Sequence, residues 1–358
     1  MKSQQEILAA LMKECGLGEI TEDIRPVSGG LMHKMYKVRT ATGDYAVKCL
    51  NPEIMARPGV FENYARAEEL EGILEEHEVP MVPAMTFSGR KMLEHEGMYF
   101  YVFHWMEGGI TDQNGITEEQ CFQAGEILGQ IHRIDPQIVE EAKVSEDDQA
   151  FEPKERSVAA TEITEPELSE INFREYLSLA KERKSAITLI LEENLDLLEE
   201  AQNKLNEARK SLPQITAIND GDMDPKNIMW CDGKPYVIDL ECLDRDNPVA
   251  ACVDLALQWS GTLNGRFQKE LLSAFFRGYL KAYDNGFQGY ENLFGIAYTW
   301  VEWLEYNLRR ALGLTGGDEE EIRLGEEETV STIGRIRYLK SIEAEVCETF
   351  RSYFHHRM

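Results

Sequence analysis

The chain has 358 residues, 43% of them hydrophobic, and 37 basic against 65 acidic side chains give a formal net charge of −28. The length favours two lobes over one core, and the charge argues against a nucleic acid or an anionic membrane as partner. Seven scattered cysteines without a Cys-x-x-Cys pair indicate neither zinc nor a disulfide framework and suit a reducing cytoplasm, where the lack of a long apolar run, in the first residues or elsewhere, also places the chain.

In chain order, residues 3–14 have Ile7, Leu8, Leu11 and Met12 at helical spacing. A strand is expected over Ile20–Val27, then a glycine loop at Ser28, Gly29 and Gly30, then strands Met35–Arg39 and Tyr45–Leu50. Strand, glycine loop, strand is how a hairpin lays backbone N–H groups over phosphates. Alternation along the third strand sets Tyr45 and Val47 on one face, Ala46 and Lys48 on the other. A lysine within an apolar strand needs a partner for its charge, which nucleotide phosphates and a helix carboxylate would supply. The helix Phe61–His77 carries several glutamates, of which Glu68 or Glu69 is expected to pair with Lys48.

Strands Ala84–Phe87, Lys91–Glu94 and Met98–Phe103 complete a mostly antiparallel first lobe. His104 to Gly109 then reads as a hinge whose extended backbone suits hydrogen bonding to an adenine edge, with His104 contributing main-chain groups rather than its ring. From Thr117, which opens a capping box with Gln120, the pattern is helical. His132 ends the first of these helices as a core histidine whose charge the helix end tolerates. Residues 140–165 are polar and acidic and read as a loop, and Phe173–Ser211 as one or two long helices. Helices follow over Val253–Ser260, Phe267–Tyr283, Tyr298–Leu312 and Glu328–Phe354, with an acidic loop at Gly316–Glu321. The aromatic stripe Trp300, Trp303 and Tyr306 reads as core in preference to a substrate wall.

The chemistry concentrates between Ile218 and Asp246. Ile228–Trp230 and Tyr236–Ile238 are short apolar runs around an Asp232-Gly233 turn, a strong hairpin signal. Folding that hairpin brings Asn227 and Asp239 to one open end, an amide oxygen beside a carboxylate, both hard ligands suited to Mg²⁺. Asp222, on the loop feeding the first strand, is placed to accept a proton from a substrate hydroxyl. A solvated Asp-rich turn would have the same local pattern, so the remainder of the chain decides between the two.

Taken in order, the glycine loop, strand lysine, helix glutamate, hinge, helical lobe, Gly221-Asp222-Met223-Asp224-Pro225-Lys226-Asn227 and Ile238-Asp239-Leu240-Glu241 resemble the aminoglycoside phosphotransferase family, which shares the protein-kinase-like fold with choline kinases. Leu128-Gly129-Gln130-Ile131-His132 is similar to that family's Leu-Gly-x-Leu-His helix end. The resemblance implies an α+β, bilobal protein-kinase-like fold. Residues 1–106 would form a small β-rich nucleotide-binding lobe and 107–358 a larger helical lobe, with a helical insertion over about 140–215. It implies Asp222 as catalytic base and Asn227 and Asp239 as Mg²⁺ ligands. Lys48, paired with Glu68 or Glu69, would bind the α- and β-phosphates of ATP or GTP. Ser28, Gly29 and Gly30 would cover the phosphates, and the backbone of His104 and Met106 would contact adenine. Glu241 falls near the site without an assigned role. The acceptor would be a hydroxylated molecule, either a polycationic aminoglycoside, facing carboxylates such as Asp224, Glu241, Asp244 and Asp246, or choline, ethanolamine, a sugar or a protein hydroxyl. The alternative is a nucleotide-binding protein that transfers nothing. Asp220 stands where the family has a histidine, and a carboxylate there is expected to raise the pKa of Asp222. Leu240-Glu241 in place of Phe-Gly disfavours a protein kinase.

Overall fold

The computed structural model describes residues 3–27, 33–111, 114–138, 168–316 and 318–355. The expected phosphate loop at Ser28, Gly29 and Gly30 and the acidic stretch 140–165 lie outside them. The elements are α1 (Gln4–Glu14), β1 (Arg25–Val27), β2 (Lys34–Arg39), β3 (Asp44–Cys49), α2 (Pro52–Met55), α3 (Val60–Glu76), β4 (Leu93–His95), β5 (Met98–His104) and β6 (Gly109–Ile110). They continue with α4 (Glu118–Arg133), β7 (Gln137–Ile138), α5 (Phe173–Arg183), α6 (Thr188–Lys210), β8 (Ile215–Asp220), β9 (Ile228–Cys231), β10 (Lys234–Val237) and β11 (Leu243–Asp246). Helices α7 (Pro248–Trp259), α8 (Lys269–Ala282), α9 (Trp300–Ala311) and α10 (Glu319–His355) complete the chain.

The chain divides into two compact units, one of Met1–Asp112 with Asp220–Asp244, the other of Gln113–Asn219 with Arg245–Met358. The first therefore reaches beyond residue 106 and recruits a distant segment. Backbone pairing explains both differences from the sequence division. Gly109 and Ile110 pair with Trp230 and Met229, and Val237 exchanges hydrogen bonds with the Pro80–Val82 stretch. Gly108 must lack a side chain here, because a Cβ would come within 2.7 Å of the Trp230 carbonyl oxygen.

In the first unit a five-stranded antiparallel sheet has the order β1-β2-β3-β5-β4. Alternation gives it two apolar faces. Tyr45, Val47 and Cys49 pack with Leu8, Leu11 and Met12 of α1. Leu50, on the opposite face, packs with Ile54, Val60, Tyr64 and Tyr101 under α2 and α3. The expected strand over Ile20–Val27 contracts to β1 and one bridge at Ile20, since Glu22 leaves the ladder to pair with Arg39. No strand forms over Ala84–Phe87, because the Ala84 amide donates to the Glu71 carboxylate at 2.6 Å.

The second unit is mainly helical. Helices α4 and α8 approach so closely that a Cβ on Gly125 or Gly278 would collide with the opposing main chain. His132 is fully buried between Tyr279 Oη at 2.9 Å and Asn219 Oδ1 at 3.1 Å. Burial pushes its pKa down to about 4, against a smaller opposing effect of Asn219. It is thus a core histidine, as expected, but a neutral one, held by hydrogen bonds rather than by a helix dipole. Phe173–Ser211 resolves into α5 and α6, parted by a left-handed Lys184. Helix α7 starts earlier than expected because Asn247 caps it and Pro248 opens it. The supposed acidic loop at Gly316–Glu321 gives way at Glu319 to α10. Asp318 accepts from the Glu320 and Glu321 amides, and three glutamates occupy the first turn, where the dipole favours them. Trp303 and Tyr306 overturn the core reading: they are 42% and 38% exposed and stacked at 5.3 Å. No helix among the described residues is long and apolar enough to cross a membrane.

Candidate active site

The hairpin forms as its turn residues require. Asp232 and Gly233 both take positive φ, the geometry of a two-residue hairpin turn. Val237 pairs with Ile228, and the Ile238 amide donates to the Asn227 carbonyl at 2.9 Å. Asn227 and Asp239 therefore leave the same end of the ladder. Beyond it, Asp239 takes a left-handed conformation (φ 64°) and starts a short 3₁₀ turn over Leu240–Cys242. Aspartate tolerates that conformation better than most residues, and here it ends the strand and turns the carboxylate aside.

Asp222 is fixed through its main chain. Its amide donates to Asp220 Oδ1 at 3.1 Å, and its carbonyl accepts from Asn227 Nδ2 at 2.8 Å. The side chain remains 39% exposed, with Oδ1 at 3.2 Å from Lys226 Nζ. Burial raises its pKa; Lys226 opposes this, while Asp224 and Asp239 add to it. Lys226 also meets Asp224 Oδ2 at 2.9 Å, and Asp224 caps the 3₁₀ turn Pro225–Asn227 through the Lys226 amide. Lys226 was not among the residues singled out from the sequence. Its signal was there in the spacing, a lysine four residues after one aspartate and two after another.

Asp220, at the end of β8, is completely buried and its Oδ2 has no hydrogen-bond partner. Burial lifts its pKa to about 7, with Asp222, Asp239 and Asp224 adding to the rise and the Asp222 amide opposing it. It holds the Asp222 loop by one oxygen.

Lys48 lies on the face of β3 opposite Val47, as alternation required, and is 5% exposed. Its ammonium meets Asp239 Oδ1 at 2.7 Å and Glu241 Oε1 at 2.6 Å. Burial alone would lower its pKa, but Glu241 and Asp239 more than offset it and the net shift is upward. The expected partner on α3 is elsewhere. Glu68 accepts from Tyr101 Oη at 2.7 Å and from the Met92 amide at 3.1 Å, and Glu69 is exposed. A tyrosine of β5 and the amide just before β4 satisfy Glu68, while two carboxylates following the hairpin reach Lys48. Glu241 in turn lies 3.4 Å from His33 Nε2.

At the hinge, Tyr45 pairs with His104 and the Trp105 amide donates to the Asp44 carbonyl at 3.0 Å. That register turns the amide and carbonyl of His104 to the outer edge of β5, the edge on which the Val102 carbonyl accepts from Met85. Lys37 lies over the Trp105 ring and, with the indole N–H, engages Glu107, which holds the segment through Met106 extended. All four carboxylates nominated for a polycation have partners within the chain: Asp224 has Lys226, Glu241 has Lys48 and His33, Asp244 has Arg66, and Asp246 accepts from the Asn247 amide.

An antiparallel sheet carrying a buried lysine, joined to a hairpin that ends in an aspartate and an asparagine, defines a phosphotransferase architecture. Solved structures share it. The chain is 11% identical to a spectinomycin phosphotransferase bound to ADP and spectinomycin, with 98% of this chain and 99% of that one covered at a TM-score of 0.60. It is 12% identical to an amicoumacin kinase bound to AMP-PNP and Ca²⁺, with 96% of each covered at 0.55. It is 16% identical to an ethanolamine kinase of Plasmodium vivax, with 87% and 82% covered at 0.54. The fold is the α+β, protein-kinase-like one. Residues 23–293 match the model of the phosphotransferase enzyme family, and the chain belongs to that family. It is accordingly a kinase-type phosphotransferase with a hydroxyl group as acceptor. No curated protein matches it.

Proposed function

We propose that the protein transfers the γ-phosphoryl group of ATP, with Mg²⁺, to a hydroxyl of a small cationic molecule. The observation that carries this reading is the position of Lys48, buried and 2.7 Å from Asp239, in the same unit as an Asp222 whose main chain is held on both sides. Structural neighbours crystallised with ADP and with AMP-PNP support a nucleotide as donor, and GTP would fit the same phosphate contacts.

The donor set suits a hard divalent cation. Asn227 has its Nδ2 tied to the Asp222 carbonyl, which leaves the amide oxygen as its ligand atom. Asp239 has one oxygen on Lys48 and a second beyond it. Oxygen donors of this kind are what Mg²⁺ prefers. Bound there, Mg²⁺ would neutralise charge on the phosphates.

The chain's own residues do the rest. Lys48 holds the α- and β-phosphates, and the outer-edge backbone of His104 and Met106 takes the adenine. Ser28, Gly29 and Gly30 are assigned the phosphates by their place in the family pattern. Asp222 orients the acceptor hydroxyl and takes its proton, and its raised pKa suits a group that must accept one. Lys226, at the same carboxylate, offers a positive charge where negative charge moves during transfer. Catalysis is then chiefly positioning and electrostatics, as phosphoryl transfer requires.

A cationic acceptor is supported by the acidic balance of the chain. The amino-alcohol and antibiotic kinases among the structural neighbours act on molecules of this kind. A coupled ADP-release screen with Mg²⁺ and ATP or GTP tests it, across aminoglycosides, amino alcohols, sugars and nucleosides. The expected result is nucleotide-dependent turnover with a hydroxylated amine. Nucleotide binding without turnover on any acceptor would favour a protein that binds and does not transfer.

A further inference from the structure

We propose that Glu241 is the positioning residue for Lys48, in the part first expected of a glutamate on α3, and that His33 fixes Glu241 in turn. This rests on the reading of Lys48 as the phosphate-binding lysine.

Three observations carry it. The first is the contact itself, Lys48 Nζ to Glu241 Oε1 at 2.6 Å, between side chains only 7% and 15% exposed. The second is that the buried or half-buried glutamates of α3 near the sheet are engaged elsewhere. Glu68 serves Tyr101 and Met92, and Glu71 serves the Ala84 amide and Lys91. The third concerns protons. The Asn51 amide donates to His33 Nδ1 at 3.0 Å. A backbone N–H can only donate, so Nδ1 is the acceptor, and the proton of the neutral ring sits on Nε2. That nitrogen faces Glu241 Oε2 at 3.4 Å. Each Glu241 oxygen thus has its own partner, an ammonium on one and an imidazole N–H on the other.

The arrangement has a use. Asp239 touches Lys48 and is also the carboxylate assigned to the metal, so the two duties compete for it. A buried ammonium that lost its only carboxylate would carry a large penalty. Glu241 supplies a second one, so Lys48 stays charged and in place while Asp239 turns to a cation. The rigid link from Asn51 through His33 keeps Glu241 from following.

The test measures binding of MgATP, and of ADP without Mg²⁺, by calorimetric titration. Wild type is compared with Glu241→Gln, Glu241→Asp, His33→Ala and Glu68→Gln, with melting temperatures read alongside. Glu241→Gln is expected to weaken both ligands by about tenfold, the worth of one charge-assisted contact, without moving the Mg²⁺ concentration needed for half-maximal ATP binding. Glu241→Asp, which keeps the charge, should recover part of the loss. His33→Ala should lose less and in the same direction, and Glu241→Gln should add little on a Lys48→Met background. A larger loss from Glu68→Gln than from Glu241→Gln would return the lysine to α3 and overturn the proposal. So would a Glu241→Gln variant that binds Mg²⁺-free ADP normally but demands more Mg²⁺ for ATP, the behaviour of a metal ligand. Wild-type nucleotide binding with Glu241→Gln indistinguishable from it defeats this inference alone. Failure of the wild type to bind nucleotide defeats the kinase reading and this inference with it.

Discussion

Around Lys48, one ammonium faces two carboxylates, one of which a histidine also holds, and every charge has a partner within the chain. Around Asp222, the carboxylates of Asp222 and Asp224 share the one ammonium of Lys226, and buried Asp220 has only the Asp222 amide. The protonation behaviour follows the balance. Glu241 is held below the usual carboxylate range, whereas Asp220 and Asp222 are pushed above it. Burial acts in the same direction on all three, so the difference lies in the neighbours. The lysine side is finished before any reactant arrives. The aspartate side carries an excess of negative charge that suits it to an incoming cation and to accepting a proton.

Several substitutions would break or sharpen that contrast. The largest effects fall on the shared residues. Asp222→Asn removes the proposed base and Asp239→Ala a proposed metal ligand, and either should lower turnover by about a thousandfold, within the range for general-base and electrostatic contributions. Circular dichroism of the Asp222→Asn variant should match wild type. Next comes Asp220→Asn, tested by denaturant unfolding at pH 5 and pH 8. In the folded chain Asp220 keeps its proton up to about pH 7, against an ordinary value of 3.8. The native state therefore binds more protons than the unfolded one between these values, and stability falls as pH rises from about 4 to about 7. The asparagine, still able to accept from the Asp222 amide, should remove that slope and leave the variant more stable than wild type at pH 8, by on the order of a few kcal/mol. An unchanged slope would mean that Asp220 is ionised in the native state. The smallest effect is that of Lys226→Met. Lys226 lowers the Asp222 pKa, so its loss should move the acid limb of the turnover profile to higher pH, with a drop of roughly tenfold or less at neutral pH. A limb that stays in place would separate Lys226 from the base.

Local pattern made much of this legible. Alternation on β3 placed Lys48 inward, and the Asp232-Gly233 turn alone brought Asn227 beside Asp239. The sheet, α3 and α4 follow from periodicity and capping residues. What could not be read was partnership across long separations. Glu241 lies almost two hundred positions after Lys48, and Glu68 and Glu69 offered a nearer solution that failed only because Tyr101 and Met92 claimed Glu68. The strand Ile215–Asp220 is absent from the sequence reading, and its ladder partners at Gln137 and Ile138 come from far upstream. The acidic run at the start of α10 looked like solvated loop because charge density was weighed before capping. On α9, spacing reveals an aromatic face but not what covers it.

Whether Asp222 is the base is the claim on which the functional account turns. The direct measurement is ³¹P NMR of a reaction containing MgATP and an acceptor that supports ADP release, run with wild type and with Asp222→Asn at concentrations that saturate both with nucleotide. Wild type should yield a phosphomonoester of the acceptor, and the variant, with unaltered ATP affinity, essentially none. A variant that forms the phosphomonoester at the wild-type rate would contradict the account.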